Sequence, residues 1–455
     1  MYCTGSHGLR WSVVPRTSSD VDRHRPRVVV IGGGFAGYHA ARALRKFAPR
    51  IEVVLVNATD FSLYLPLLPE VAAGLLDPRR VCVSLRRWPG RVRLQLGSVD
   101  EVDLDARRVA WADPEGGRGE ITYDRLLITV GSVNKLLPVP GVADNAHGFR
   151  GIGEALYLRD HLVRQLELAA NADPAEREAR CTFVVVGAGY TGTEVAAQGQ
   201  LLTQRMLARL PALAGQKMRW LLVDNASTVL PGLDPRLART TDRVLRRRGI
   251  EVRTGQSITE ARAGEVELTT GEVIPTRSLI WCVGVRPDPL VEELGLPTNR
   301  GRLVVDEMLN VPGRPDVFAC GDCAATPDLT RPGEITGMTA QHAQRQGRRA
   351  ALNLAASLGL ATAKAYRHHD LGFLVDLGGV QAAANPLGVS IRGLPAKAVT
   401  RGYHLLALPG NRGRTLIDWG VNLFGAPPAV QLGLIRARHV PLVTAAVSRA
   451  AGHQS

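Results

Sequence analysis

Two stretches of this 455-residue chain carry the same device: an apolar strand runs into a glycine turn with G-x-G-x-x-G spacing, and a helical pattern follows. The first is RVVVIGGGFAG, with Gly32, Gly34 and Gly37; the second is FVVVGAGYTGTEVA, with Gly187, Gly189 and Gly192, 155 positions later. The spacing has a physical reason. The first glycine permits the tight turn, the second lets backbone approach a pyrophosphate, and the third lets the helix pack closely on the strand, with the helix N-terminus facing the anion. One such match is weak evidence. Two in strand-turn-helix context predict an α/β chain with two Rossmann-like dinucleotide-binding domains.

The rest of the chain divides around them. Residues 1–26 mix arginine, histidine and serine without an apolar centre, the pattern of a disordered leader rather than a secretory signal. Residues 27–150 hold the first module, with a strand over Ile51 to Val56 and a loop over Phe61 to Leu76, where the prolines of LYLPLLP argue against a helix. A helical stretch from Gly153 to Ala170 and a polar link from Asn171 to Arg180 open the second module, 151–304. Residues 305–365, with VFACGDCAA and a helix over Thr339 to Leu358, read as the second part of the first domain, so that domain is discontinuous and the other is inserted into it. Residues 366–455 form a C-terminal region of different character, with short segments rich in glycine, proline and aromatics.

The acidic residue that commonly binds an adenosine ribose is absent from the first module, where Asn57 ends the strand, and present in the second, where Asp224 ends WLLVDNAS. A carboxylate there accepts both ribose hydroxyls and repels a 2′-phosphate, which favours NADH over NADPH. Gly321-Asp322, after the strand Val317 to Cys320 and opening a helix, suits contact with the ribityl or phosphate region of a flavin; an N-cap aspartate is the other reading.

Composition removes other classes. The net charge is +14, yet only five of the 56 basic residues are lysines and the arginines are scattered rather than gathered in runs with aromatics, so nucleic-acid binding is not expected. Attraction to an anionic membrane or an anionic cofactor fits the same charge. Six cysteines are too dispersed for a disulfide framework, and the single CxxC, Cys320 to Cys323, reads as small residues beside the Gly-Asp turn. No metal site and no run of 18 apolar residues is found.

In order and spacing, VVVIGGGFAG, YLPLLPEVAAG, LLITVGSVNKLLPVPGV, FVVVGAGYTGTEVA, IWCVGVRPDP, VFACGDCAA and TAQHAQRQG resemble the flavoproteins with two dinucleotide-binding domains. Within them the chain is similar to the type II NADH dehydrogenases, single-chain NADH:quinone oxidoreductases, from about Arg27 to Leu434. The resemblance implies FAD along Gly32, Gly34 and Gly37, with Asn57 at its ribose, Thr129 and Gly131 lining its pocket and Gly321-Asp322 at its ribityl chain. It implies NADH on Gly187, Gly189 and Gly192, with Asp224 at the adenosine ribose, Glu194 near the nicotinamide and Gly284 at a close approach. Gln341 is similar to the first glutamine of the motif beside the flavin where quinone enters. The family's second glutamine, four residues on, is Arg345 here, one helical turn away on the same face.

Hydride transfer between cofactors needs no protein nucleophile, in keeping with the lack of any triad. A cysteine pair soon after the first motif, which disulfide-reductase chemistry requires, is missing, since only Cys82 lies nearby. A quinone dissolves in lipid, so the expected setting is cytoplasmic, peripheral on the inner face of the cell membrane. Leu416, Ile417, Val421, Leu423 and Phe424 share a helical face, with Trp419 beside it and Arg401, Arg412, Arg414, Arg436 and Arg438 around it. That face serves membrane association or pairing of two chains into a homodimer, or packs on the flavin domain. Beside quinone reduction stand a soluble reductase serving another acceptor and a non-catalytic NADH-sensing flavoprotein.

Overall fold

Val28 to Ile31 are apolar without interruption and all buried, as a parallel strand covered on both faces requires. The computed structural model describes residues 25–86, 92–368, 371–425 and 429–442; most of the expected leader, 1–24, lies outside them. Strand Arg27–Ile31 pairs in parallel with Glu52–Asn57 on one side and Arg125–Ile128 on the other. Arg314–Ala319, almost 190 residues further along than Arg125, pairs in parallel with Arg125–Ile128 and so completes the first sheet from a distant part of the chain. The discontinuous first domain is therefore built into one set of hydrogen bonds.

The second sheet is wholly parallel, in the order Ala146–Gly148, Ser278–Trp281, Thr182–Val186, Arg219–Asp224 and Ile250–Thr254. Its core includes the stacked rings of Phe183 and Trp220, whose centroids are 4.7 Å apart. Both glycine turns are followed at once by helices, Phe35–Phe47 and Tyr190–Leu207. The first of these packs against helix Ala340–Ser357, the most extensive helix-helix contact of the fold, and Gly347 makes it possible: a Cβ there would stand 2.1 Å from the carbonyl oxygen of Ala36.

Three local expectations change. Phe61 to Leu76 is not a loop: it holds strand Phe61–Leu63, a 3-10 turn Leu65–Leu67 and helix Leu68–Ala72. Pro66 and Pro69 sit in the first turns of those helical pieces, where a missing N–H costs no hydrogen bond. The polar link from Asn171 contains helix Pro174–Arg180, capped by the Asp173 side chain accepting from the Glu176 amide at 3.0 Å. Asp322 opens no helix; the chain goes on into the two-residue strand Ala324–Ala325, paired with Leu303 and Val304. The N-cap reading of Asp322 falls with it.

The C-terminal region adds a small antiparallel sheet, Leu374–Asp376, Ala382–Ala384 and Ile391–Arg392, and helices Gly393–Ala407 and Arg412–Val421. No helix among the described residues is long and apolar enough to cross a membrane.

Candidate active site

The two glycine turns have the same geometry. A Cβ on Gly37 would lie 1.8 Å from the carbonyl oxygen of Gly32, and one on Gly192 equally close to that of Gly187, so each third glycine lets its helix seat against the turn. The middle glycines differ in kind: a Cβ on Gly34 or Gly189 would meet nothing within 4 Å. Each of these is also the N-cap of its helix and offers no side-chain hydrogen bond to the first turn. The first amides of both helices thus face open space with no capping side chain, which is the donor set a pyrophosphate takes. A cleft of about 1260 Å³ is lined by Gly32, Asn57, Val130, Asp288 and Trp111, with volume to spare for the adenosine half of a dinucleotide. The residues present fit FAD at the first turn and NADH at the second.

The side chains expected to touch the cofactors turn out to hold the turns. Asn57 Oδ1 accepts from the Gly33 amide at 2.7 Å and its Nδ2 donates to the Thr59 carbonyl at 2.8 Å. Asp224 Oδ2 accepts from the Ala188 amide at 2.5 Å, one residue after Gly187 just as Gly33 follows Gly32. Thr129 does not present its hydroxyl to a pocket; it is buried and donates to the Ile31 and Gly32 carbonyls at 2.7 and 2.8 Å, closing the first turn from beneath. Gly131 and Gly284 have φ of +77° and +99°, and a Cβ on either would meet nothing within 4 Å.

Asp322 accepts from the Ser132 hydroxyl at 2.5 Å, with the Arg150 guanidinium 3.9 Å away. The Gly321 amide before it donates to Gln346 Oε1 at 2.8 Å, and Gln346 Nε2 donates to Thr336 Oγ1 at 2.9 Å. Gln346 is fully buried and sets the turn that positions Asp322. It carries no signal in the sequence, lying among three glutamines on one helix. Cys320 and Cys323 are both fully buried and free, and burial pushes the Cys323 thiol up to about 11, so neither is poised as a redox thiol.

Glu194 and Gln341 come from different modules yet reach one C-terminal segment. Glu194 Oε1 accepts from the Asp376 amide at 2.8 Å; Gln341 Nε2 donates to the Gly372 carbonyl at 3.0 Å. Burial is the main cause that raises the Glu194 carboxyl well above the usual range, and the Asp376 charge adds to it. Gln341 Oε1 is buried with no partner among the described residues. Arg345, one turn on, shares a hydrogen bond of 3.0 Å with His368 Nδ1, so the cation in the glutamine position is tied to the chain that follows the helix.

A family model, pyridine nucleotide-disulphide oxidoreductase, matches residues 26–347. A type II NADH:quinone oxidoreductase of Mycobacterium tuberculosis is 31% identical over 88% of this chain and 88% of its own length. This chain belongs to the type II NADH:quinone oxidoreductase family. A demethylphylloquinone reductase of Synechocystis is 30% identical over 85% of this chain and 93% of its own. The structure of NDH2 from Plasmodium falciparum in complex with NADH aligns with a TM-score of 0.82 over 90% of this chain and 100% of that one; at 17% identity this likeness speaks for the fold. As a member of the family the chain is an enzyme, an oxidoreductase with FAD and NADH as its cofactors.

Proposed function

We propose that this enzyme takes electrons from NADH at the second glycine turn and delivers them to a quinone beside Gln341, while resting on a lipid surface. The observation that carries this is the segment Gly372 to Asp376, whose two ends hold the acceptor-side glutamine and the nicotinamide-side glutamate. Strand Leu374–Asp376 belongs to the C-terminal sheet, so the NADH side and the acceptor side share one short support. Phe373, inside that segment, lies 6.0 Å ring to ring from Tyr190, the residue after the middle glycine of the NADH turn.

FAD, once bound, accepts a hydride and passes two electrons on, which leaves the protein to bind, orient and exclude water. Asp224 holds the NADH turn and keeps lone pairs for a ribose. Glu194, whose carboxyl burial raises well above the usual range, stands on the NADH side with Oε1 committed to the Asp376 amide. Gln341 Oε1 offers an acceptor within a buried site, and Arg345 offers a donor to a carbonyl oxygen.

The lipid setting is supported by an inverted helix. Helix Arg412–Val421 turns Asp418 and Trp419 inward: Asp418 pairs with Arg80 at 2.8 Å and Trp419 Nε1 donates to Glu70 at 2.5 Å. Just beyond it Asn422 Nδ2 donates to the Leu75 carbonyl at 2.7 Å. Leu416, Ile417 and Val421 are left pointing outward, each more than half exposed, and Phe424 after the helix is 94% exposed. An amphipathic helix packed on the flavin domain would do the reverse. Arg414, Arg436 and Arg438 are exposed in the same region and suit an anionic leaflet.

Anaerobic NADH titration of the flavin absorbance, followed by a short-chain quinone, tests the function. The expected result is bleaching by NADH and prompt reoxidation by quinone. Bleaching without reoxidation by quinone, together with rapid turnover on a ferredoxin-like protein, overturns it in favour of a reductase with a protein acceptor.

A further inference from the structure

Four buried side chains, Asp376, Lys397, Glu70 and Trp419, form a line that ends at the outward-facing apolar helix, and Glu194 of the NADH helix meets it at the Asp376 amide. Glu194 Oε1 takes the amide of Asp376; both oxygens of Asp376 take the Lys397 ammonium, at 2.7 and 2.6 Å. Lys397 Nζ lies 3.9 Å from Glu70 Oε1, and Glu70 Oε2 accepts from Trp419 Nε1 at 2.5 Å. Glu70 is only 2% exposed, and its Oε1 is buried with no hydrogen-bond partner among the described residues.

Three carboxyl groups here have one ammonium among them at close range. Like charges in a buried cluster cannot all ionise, so the group with the poorest compensation keeps its proton. Asp376 is the best compensated: beside Lys397 it accepts from the Gly378 amide at 2.8 Å and from Gln198 Nε2 at 3.4 Å. Glu70 has a neutral indole donor and one uncommitted oxygen. Burial raises its carboxyl above the usual range, the Asp376 charge raises it further, and Lys397, Trp419 and Arg401 act against this. Arg401 is spent in part on the Trp419 ring, 4.8 Å from its centroid.

We propose that Glu70 is the proton store of the acceptor half of the cycle, holding the one proton that quinone reduction needs beyond the hydride. This rests on the quinone reading above. The overall change is NADH + H⁺ + quinone to NAD⁺ + hydroquinone. A C–H bond of the dihydronicotinamide breaks with its electron pair, and two O–H bonds form on the acceptor. Counted in protons and electrons, the hydride supplies one hydrogen of the product. Glu70 supplies the proton of the other and is refilled from the solution; the Lys397–Asp376 pair stands between it and the segment that holds Gln341. Its position suits this role, because Trp419 joins it to the outward-facing helix and Lys397 and Asp376 lie between it and the Gly372–Asp376 segment on which Gln341 is held.

The test compares flavin-loaded full-length protein with Glu70→Gln and Glu70→Asp, each turned over with NADH and either a short-chain quinone or ferricyanide, which takes electrons without protons. Glu70→Gln should lose at least tenfold in quinone turnover relative to ferricyanide turnover, and Glu70→Asp should recover most of the loss with a shifted pH profile. In redox-difference infrared spectra a protonated-carboxyl C=O band should move in Glu70→Asp and vanish in Glu70→Gln. Equal loss with both acceptors, or an unchanged ratio and an unchanged infrared band, overturns the store and leaves Glu70 a structural residue. If Glu70→Gln holds no flavin, the Glu70→Asp profile decides, and an unshifted one overturns the proposal. Unsubstituted enzyme that ferricyanide reoxidises and quinone does not would overturn the functional reading, and the store with it.

Discussion

Ala188 and Asp224 are joined across the second glycine turn, the amide of the one donating to Oδ2 of the other at 2.5 Å. The second oxygen, Oδ1, accepts from the Ala226 amide at 2.7 Å. Gly33 and Asn57 make the same tether in the first module at 2.7 Å. Positions 57 and 224 therefore share one duty, to tie the turn to the end of the neighbouring strand, and differ in what is left over. A carboxylate that accepts two amides keeps lone pairs for ribose hydroxyls; Asn57 has already turned its amino group to Thr59.

That difference predicts the behaviour of Asp224→Asn. The amide oxygen preserves the tether while the charged acceptor is lost, and charge-assisted hydrogen bonds are about twice as strong as neutral ones. The KM for NADH should rise roughly tenfold, about 1.4 kcal/mol, with flavin retained. Steady-state kinetics decide, and an unchanged KM would confine Asp224 to tying the turn.

Gly189 and Gly192 should respond in opposite ways to a single methyl group. Gly189 has an ordinary φ of −71° and open space around its Cβ position. Gly189→Ala should therefore fold with a Tm within a few degrees of the unsubstituted protein and bind NADH at least tenfold more weakly. Gly192→Ala drives a Cβ to 1.8 Å from backbone and should lose stability outright. Thermal unfolding read beside NADH titration separates the two.

Acid should destabilise this enzyme through its histidines. Burial holds His39, His147, His342 and His404 down to about 4, from an ordinary 6.5. Between those pH values the unfolded chain binds protons that the folded one refuses, so stability is full above about 6.5 and is lost as pH falls toward 4. His404→Gln removes one such group, together with the 3.1 Å contact between His404 and the Tyr64 hydroxyl. Its stability should fall less steeply with acid, by up to about 1.4 kcal/mol per pH unit. Chemical unfolding at several pH values measures this, and parallel slopes would contradict it.

The outward face of helix Arg412–Val421 should govern membrane binding. Burying an aliphatic side chain is worth about 1.5–3 kcal/mol, so Leu416→Glu with Ile417→Glu should weaken binding to anionic vesicles at least a hundredfold. Vesicle flotation gives the answer. Should neither protein float while only the unsubstituted one sediments as a dimer, the face belongs to a second copy of the chain.

The strand-turn-helix units were legible because their causes are local. A run of Val and Ile, glycines at fixed spacing and a helical pattern lie within twenty residues of one another, and each glycine is demanded by backbone a few positions away. Proline misled at LYLPLLP because its effect depends on where a helix starts: Pro66 and Pro69 fall in first turns, which no count of prolines reveals. In the C-terminal face, helical spacing was enough to group the aliphatic residues, but not to decide whether they lie outward or pack inward, nor that Trp419 parts from them; its indole is buried on Glu70.

What the sequence determined by itself is the pair of dinucleotide turns, because each follows from short-range steric requirements. The tertiary structure alone decided how the pieces serve one another. Glu70, Asp376 and Lys397 are more than 300 residues apart at the extremes and look like ordinary surface charges in the sequence. They become a buried cluster only when the C-terminal sheet closes over both modules, because burial and mutual distance, which set whether a carboxyl keeps its proton, are properties of the fold and not of the residue.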